Sequence, residues 1–259
     1  MTAAAESISK TEAAYRTLRR EILHAKLAPG LPLKLGSLRA TYGLGWTPLR
    51  EALSRLEAER LVVASRNRGY AVAPMLRGDL EDLQRARLAI ELPALLESMQ
   101  QGGEEWEAAV ITAHYRLSRC KLPVDDFSDA AVSEWEDRHE AFHAALIGAC
   151  TSRWLLRFHR QISDQMRRYH RVLNIGPAQQ APGGDPEALA MTRAAMAIEH
   201  HTQLMEATLD RDVARAQALL TEHVESTVKV FVKAKEAPAP VPVPSPEATA
   251  TSGAVRQQP

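Results

Sequence analysis

The chain has 259 residues, of which 45% are hydrophobic and 25% are charged, a composition that is ordinary for a folded protein and excludes disorder of the whole chain. Its 32 basic and 32 acidic side chains give a formal net charge of zero, which by itself argues against a nucleic-acid partner. No apolar run approaches the roughly 18–20 residues that span a bilayer, and the N-terminus lacks a secretory pattern, so we expect a cytoplasmic protein without membrane contact.

The balanced charge hides an uneven distribution along the chain. Residues 1–74 carry 12 basic and 6 acidic side chains, a net charge of +6, whereas residues 75–259 carry 20 basic and 26 acidic ones. Such an asymmetry is a cue for nucleic-acid binding by the basic part.

Three helices and a β-hairpin are predicted within the basic part. Apolar residues at helical spacing predict helices over 10–26, 35–42 and 48–59, with Thr47 as the N-cap of the third. Two short β-type runs, at 61–63 and 70–72, flank a segment with the residues of a hairpin tip. This order predicts a winged helix-turn-helix domain over 10–74, whose third helix enters the DNA major groove.

The remainder of the chain shows only helical patterns until its last residues. Helices are predicted over 79–100, 104–121, 131–149, 152–173, 188–210 and 212–235, which together favour a six-helix antiparallel bundle over 79–235. The fold class is therefore mainly α. Residues 236–259 contain six prolines and no aromatic residue, and we expect this tail to be disordered.

Basic side chains on the third helix and the hairpin are candidates for DNA contact. The helix N-terminus offers free N–H groups to a phosphate, and Arg50, one turn further on, can reach a base edge. Arg66 and Arg68 on the hairpin can enter the adjacent minor groove or contact its backbone. The alternative for each arginine is a solvated position on the surface.

Three segments, "LRREILHAKLAPG", "TPLREALSRLEAERLV" and "RNRGYAVAP", resemble the N-terminal domain of the GntR family of bacterial transcription regulators. The helical remainder resembles the FadR-type, or FCD, effector domain of that family. The resemblance implies a DNA-binding regulator and not an enzyme. The DNA-binding residues that we predict are Arg39, Trp46, Thr47, Arg50, Arg66, Arg68 and Gly69.

Trp46 is a departure from the family pattern, because the residue before the threonine is usually arginine. An indole has one donor and no acceptor, so it cannot form a bidentate pair with guanine. We therefore expect an operator that differs from the family's usual one.

Four histidines in the helical part form a candidate metal site. His139 and His143 are four residues apart and project from one helix face, while His201 and His223 lie on the last two predicted helices. Two ligands from one helix and one from each of two others suit a divalent transition metal, although isolated histidines more often cap, hydrogen-bond or lie at the surface.

The resemblance adds that many FadR-type domains hold a metal with an Asp-x-x-Phe/Leu-His motif and two later histidines. His143, His201 and His223 match the three histidines, and His139 occupies the aspartate position. A site made only of imidazoles favours Zn, Ni or Cu over harder ions. The remaining histidines after residue 75 have no match and are interpreted as structural: His114, His159, His170 and His200.

The same resemblance places Arg87 and Glu91 on the first bundle helix, facing the pocket. Arg87 is a candidate to bind an effector carboxylate, and the alternative is a surface arginine paired with Glu91 one turn away. The segments "RHEAFHAALIGACTSRWLLRF" and "DQMRRYHRVL" are similar to the carbon-starvation-induced-regulator group, which responds to short dicarboxylates of the glutarate type.

The leading hypothesis is a homodimeric repressor that binds double-stranded operator DNA and a small carboxylate effector, the latter in a metal-containing helical pocket. A dimer is expected because two half-sites one DNA turn apart need two recognition helices. A metal-dependent helical enzyme and a pure metal sensor are the alternatives.

Overall fold

The computed structural model describes residues 9–65, 69–175 and 186–234. The N-terminal part contains three helices and three strands, which we name in chain order: α1 (Lys10–Leu23), β1 (Pro32–Leu33), α2 (Leu35–Tyr42), α3 (Trp46–Ala58), β2 (Val62–Ser65) and β3 (Gly69–Val72). The strands form an antiparallel sheet in the order β1-β3-β2.

The head, as we call residues 9–74, is the predicted winged helix-turn-helix. Its core forms where the apolar faces of α1 and α3 meet, and Leu18, Ile22, Leu49 and Leu53 are fully buried there. Strand β1 was not predicted, because two residues carry no detectable period-two pattern. It forms through pairing of Pro32 and Leu33 with β3.

One detail of the sequence prediction is wrong: Thr47 is not the N-cap of α3. Gly45 occupies that position without a side-chain hydrogen bond, and the helix begins at Trp46. Pro48 is then the third helical residue, which is compatible with its missing N–H because the first four helical N–H groups have no partner within the helix.

The body, as we call residues 75–234, is built from helices that enclose the largest apolar core. In chain order these are α4 (Arg77–Gln101), α5 (Glu104–Ser118), α6 (Asp129–Leu146), α7 (Arg153–Tyr169), a π-helical turn (His170–Ile175), α8 (Pro186–Met196), α9 (Ile198–Leu209) and α10 (Val213–Ala234). Residues 236–259 lie outside the described residues, so the predicted disorder of that tail stays a prediction.

The bundle differs from the prediction between α8 and α9, where a single helix over 188–210 was expected. Ala197 adopts an extended conformation and separates the two helices, giving seven α-helices in the described part of the body. Neither glycine nor proline marks this break, so the residue pattern alone did not reveal it. The Ala197 carbonyl accepts a hydrogen bond from Nδ1 of His201 at 2.9 Å, which helps to orient that ring.

Candidate nucleic-acid interface and metal centre

The head presents one exposed face built from α2 and the start of α3. Arg39, Trp46, Thr47 and Arg50 are all exposed on it, and Trp46 keeps 47% of its surface accessible. The first turn of α3 also presents backbone N–H groups that lack helical partners, next to the positive end of the helix dipole. The face can therefore hold a phosphate at the helix N-terminus while Arg50 reaches further into a groove.

Trp46, the residue at which the chain departs from the family pattern, contacts a neighbouring arginine. The guanidinium carbon of Arg39 lies 5.5 Å from the centre of the Trp46 ring, within cation–π range. The two side chains thus form an exposed pair that joins α2 to α3 at the predicted DNA face. Ser54 is also exposed one turn beyond Arg50, a position that sequence reasoning missed although the i, i+3, i+7 spacing with Thr47 and Arg50 marks the same face.

The wing is described only in part. Gly69 has a φ of +78°, a left-handed conformation that residues with a side chain rarely adopt, so a glycine is required here for conformational reasons. Arg66 and Arg68 lie outside the described residues, and their DNA contacts stay predictions.

In the body, the four predicted metal ligands come together from three helices. His139 and His143 from α6, His201 from α9 and His223 from α10 are all buried. One nitrogen of each lies within 4.8 Å of the corresponding nitrogens of the other three. Trp135 stacks on the His139 ring at a centroid distance of 4.6 Å and so helps to fix its orientation.

Three imidazole nitrogens in this cluster are buried without a hydrogen-bond partner: Nε2 of His143, Nε2 of His201 and Nδ1 of His223. For His201 the tautomer follows from geometry. Its Nδ1 lies 2.9 Å from the Ala197 carbonyl, which can only accept, so Nδ1 carries the hydrogen and Nε2 holds a free lone pair. The Arg87 guanidinium lies 3.5 Å from Nδ1 of His143, too long a contact to fix that tautomer.

Burial keeps these imidazoles neutral. Loss of water, reinforced by neighbouring imidazoles, lowers the pKa of His139, His143 and His223 well below the ordinary histidine value. Burial also lowers the pKa of His201 to about 4. Neutral imidazole is the form that ligates metal, so the cluster is in its ligating state at neutral pH.

The four residues fit a divalent transition metal. A tetrahedral zinc with Zn–N bonds of about 2.0–2.1 Å has ligand nitrogens about 3.4 Å apart. The cluster, whose nitrogens lie within 4.8 Å of one another, needs only a small inward movement of the rings to reach that geometry. A metal ion among these rings would give partners to buried nitrogens that have no hydrogen bond in the protein.

A buried hydrogen-bond network borders the histidine cluster. Arg87 donates from Nε to Glu91 at 2.8 Å, and His159 pairs with the same carboxylate oxygen at 3.1 Å. Burial by itself raises the pKa of Glu91, but the Arg87 guanidinium and His159 outweigh it and lower the pKa to about 2. Arg87 and Glu91 thus pair with each other, but both are buried, so the alternative of a surface arginine is wrong. The Glu91 carboxylate holds the Arg87 guanidinium in place.

A small pocket opens beside Arg87 and the α6 histidines. Its lining includes Arg167 and His170, together with Trp135, Glu136, His139, Glu140, His143, Ser163 and Met166. Glu91 is not among the lining residues, which differs from the expectation that it faces the pocket. Sequence reasoning missed Arg167 and interpreted His170 as structural, although the spacing of 163, 166, 167 and 170 places these residues on one helix face.

Helix α7 connects this pocket to the head. Between its pocket-lining residues lie residues that contact the head: Asp164 pairs with Arg19, and Gln165 donates to the Glu59 carbonyl at 3.1 Å. Buried Arg168 donates to the Ala73 carbonyl at 2.6 Å. The π-helical turn that follows, of a kind frequent at functional sites, begins at the pocket residue His170. One helix thus touches both the pocket and the segment that joins head to body.

Comparison with known proteins places both parts of the chain. Residues 10–72 match the model of "Bacterial regulatory proteins, gntR family", and residues 82–226 match that of the FCD domain. The HTH-type transcriptional repressor GlaR of Escherichia coli (strain K12) is 33% identical over 227 residues, covering 85% of this chain and 94% of that protein. The uncharacterized HTH-type transcriptional regulator BphR of Paraburkholderia xenovorans (strain LB400) is 35% identical, covering 86% and 85%.

Solved structures share the fold at lower sequence identity. McbR/YncC of E. coli is 18% identical with a TM-score of 0.66, covering 88% of this chain and 99% of that one. A putative transcriptional regulator GntR from Rhodococcus sp. RHA1 is 18% identical with a TM-score of 0.61, covering 89% and 99%. Within the described residues, no helix combines the length and the apolar character needed to cross a membrane.

Proposed function

Because the chain belongs to the GntR family of bacterial regulatory proteins and carries an FCD domain, we propose that it is a transcriptional repressor controlled by a small organic acid. DNA binding and regulation follow from the family, whose members are regulators and not enzymes. The metal-dependent enzyme considered from the sequence is therefore set aside.

The observation that carries the proposal is the exposed face of the head. Thr47 and Arg50 lie exposed at the start of the helix that the motif inserts into the major groove, on the part of the chain with a net charge of +6. Trp46 and Arg39 extend this face as a cation–π pair. We propose that Arg50 reads a base edge and that Trp46 packs against sugar or a thymine methyl.

We propose that the body binds the effector next to a divalent metal held by His139, His143, His201 and His223. The metal supplies a positive centre for a carboxylate, and Arg87, held by Glu91, supplies a second one. The free volume of the pocket is about 40 Å³, room for about three waters. The ligand must therefore be small, and a dicarboxylate of the glutarate type would have to displace a lining side chain such as Arg167.

Effector control requires that pocket occupancy changes the position of the heads. Helix α7 is suited to this because pocket residues and head contacts alternate along it. A change of a factor of a hundred in operator affinity needs about 2.7 kcal/mol of coupling between the two sites. We further propose that the regulator acts as a homodimer, since two half-sites require two recognition helices.

The test is fluorescence anisotropy with DNA from the region upstream of the protein's own gene. Arg50→Ala should weaken binding by about 1–3 kcal/mol, which is about 5- to 150-fold, and relax preference at one base pair. Arg85→Ala, which removes an exposed arginine of the body, is the matched control and should leave affinity unchanged. Equal affinity of Arg50→Ala and the unaltered protein would refute the assignment of α3.

Titration of the bound complex with glutarate, succinate and a divalent metal separates the control mechanisms. Release by a dicarboxylate, lost in Arg87→Met, supports an organic-acid effector. Release by metal alone indicates that the protein is a metal sensor.

A further inference from the structure

We infer that the proline-rich segment 240–247 of this chain docks on an exposed aromatic patch at the start of α7. The aromatic patch consists of Trp154, Phe158, Arg153 and Arg157. None of these residues belongs to the proposed DNA, metal or effector sites, so the inference goes beyond the proposed function. It is carried by the exposure and charge of the patch and by the composition and length of the chain that follows α10.

Two large rings form the apolar part of the aromatic patch. Trp154 is 62% exposed and Phe158 is 42% exposed. The rings stack at a centroid distance of 5.7 Å with an angle of 30° between their planes, and the Arg157 guanidinium carbon lies 5.4 Å from the centre of the tryptophan ring. Aromatic rings held together at the surface are the kind of apolar feature that marks an interaction site.

The charge of the aromatic patch indicates which partner fits it. Arg153 and Arg157 are exposed one turn apart, and neither forms an ion pair with any residue that the structure describes. Arg157 already contacts the tryptophan ring, which leaves Arg153 to bind a carboxylate. A second copy of the same patch would bring like charges together. The fitting partner is therefore apolar and carries an acidic group.

The chain beyond α10 contains such a segment. Every second residue from Pro238 to Pro246 is proline, separated by alanine, valine or serine. Proline favours the polyproline II helix, which docks on aromatic-lined surfaces at little cost in conformational entropy. Glu247 follows directly and is the only charged residue of the sequence between 237 and 255. Segment 240–247 thus offers prolines to the two rings and a carboxylate to Arg153.

The end of α10 and the aromatic patch lie towards opposite ends of α4. Just before α10, Arg211 donates to the Gly102 carbonyl at 2.8 Å, so α10 runs back from the C-terminal end of α4. Just before α7, the Thr151 amide donates to Glu97 at 2.8 Å, which places the patch near that same C-terminal end. Helix α10 has 22 residues, so its end lies about 25 Å from the patch along the bundle.

The tail is long enough to cover this distance. A polyproline II helix rises about 3.1 Å per residue, so Pro242 can lie about 25 Å and Glu247 about 40 Å from the end of α10 at Ala234. The difference leaves room to cross the width of one helix, about 10 Å. A short tether gives an effective concentration on the order of 1 mM, so a contact with a dissociation constant on the order of 100 µM is closed about nine-tenths of the time.

Acrylamide quenching of tryptophan fluorescence tests the docking in the full chain without DNA or metal. Of the four tryptophans, Trp106 and Trp135 are buried, and Trp46→Phe removes the other exposed one, so the accessible signal reports Trp154. In this background, serine in place of four prolines should raise the quenching constant of Trp154 by at least about threefold, since the docked tail shields it about nine-tenths of the time. The four substitutions are Pro240→Ser, Pro242→Ser, Pro244→Ser and Pro246→Ser.

The matched control places four serines after the segment and should leave the quenching constant unchanged: Ala248→Ser, Ala250→Ser, Ala254→Ser and Pro259→Ser. A second arm tests the charge pair. Arg153→Glu and Glu247→Arg each bring like charges together and should raise the quenching constant, whereas their combination restores opposite charges and should lower it again. A merely structural effect of either substitution would not be reversed in this way.

Equal quenching constants in the unaltered and four-proline-variant tails would overturn the inference, whether Trp154 is open in both proteins or covered in both by another contact. Protection that is lost on tenfold dilution would also overturn it, because a tail docked on its own chain does not respond to concentration. Far-ultraviolet circular dichroism checks that the variants are folded. None of these outcomes bears on DNA binding, which anisotropy measures separately.

Discussion

Metal binding by the histidine cluster can be tested through thermal stability, because the ion would satisfy buried nitrogens that the apo protein leaves unpaired. An ion that binds only the folded state stabilises it by about 2.7 kcal/mol at a concentration one hundred times its dissociation constant. A domain of about 150–250 residues gains about 2–4 °C in Tm per kcal/mol. We therefore expect Zn²⁺ or Ni²⁺ to raise the Tm of chelator-treated protein by about 5–10 °C.

Removal of one ligand should abolish most of this gain. Loss of even a supporting residue costs a metal site about 10- to 100-fold in affinity, so His143→Ala or His201→Ala should cost at least 100-fold. At the same metal concentration the remaining stabilisation is then about 0.4 kcal/mol, or about 1–2 °C. His114→Gln is the matched control, since that histidine pairs with Thr202 and stands outside the cluster.

Differential scanning fluorimetry with and without metal measures the difference directly, so a lower Tm of the apo variants does not affect the comparison. Metal content of the purified proteins, measured by mass spectrometry, should fall in the same variants. An equal metal-induced shift in the unaltered protein, His143→Ala and His201→Ala would refute the four-histidine site, and so would the absence of any shift in the unaltered protein.

Three further predictions concern the connection of head to body, acid stability and DNA binding. Arg168→Met removes the hydrogen bond to the buried Ala73 carbonyl and should lower the free energy of unfolding, measured by urea denaturation, by about 1–3 kcal/mol. Arg160→Met, on the exposed face of α7, is the control and should not lower it. Burial, followed by the charge of Arg171, lowers the pKa of His24 to about 4 from its ordinary 6.5. The neutral His24 side chain therefore contributes fully to stability above pH 6.5, and this contribution is lost as the pH falls towards 4. His24→Gln should reduce the acid sensitivity of the Tm, and an unchanged dependence of the Tm on pH would contradict this. If the basic head neutralises about six phosphates, operator affinity should fall about a thousandfold between about 50 and 200 mM salt. An affinity that does not change with salt, measured by fluorescence anisotropy, would count against DNA binding through the head.

Much of the fold could be predicted from local patterns. Helical spacing, the turn at Gly43 and the hairpin around Gly69 each depend on a few neighbouring residues, and both glycines have the positive φ that such turns require. Strand β1 could not be predicted, because it depends on pairing with β3, which is distant in sequence. The break at Ala197 could not be predicted either, because it depends on the orientation of the helix that follows. The N-cap at Gly45 was missed because Thr47 is the stronger capping residue by type.

Residue types and their spacing predicted a basic head with an arginine on its third helix, and four histidines of which two lie on one helix face. No local pattern shows that the four rings meet or which nitrogen of His201 carries a lone pair, because both depend on contacts among α6, α9 and α10 and on the Ala197 carbonyl. Contacts between distant residues also hold Arg87 against a buried carboxylate and place His170 in the lining of the pocket. Periodicity places a side chain on a face, but the packing of helices distant in sequence determines what that face meets.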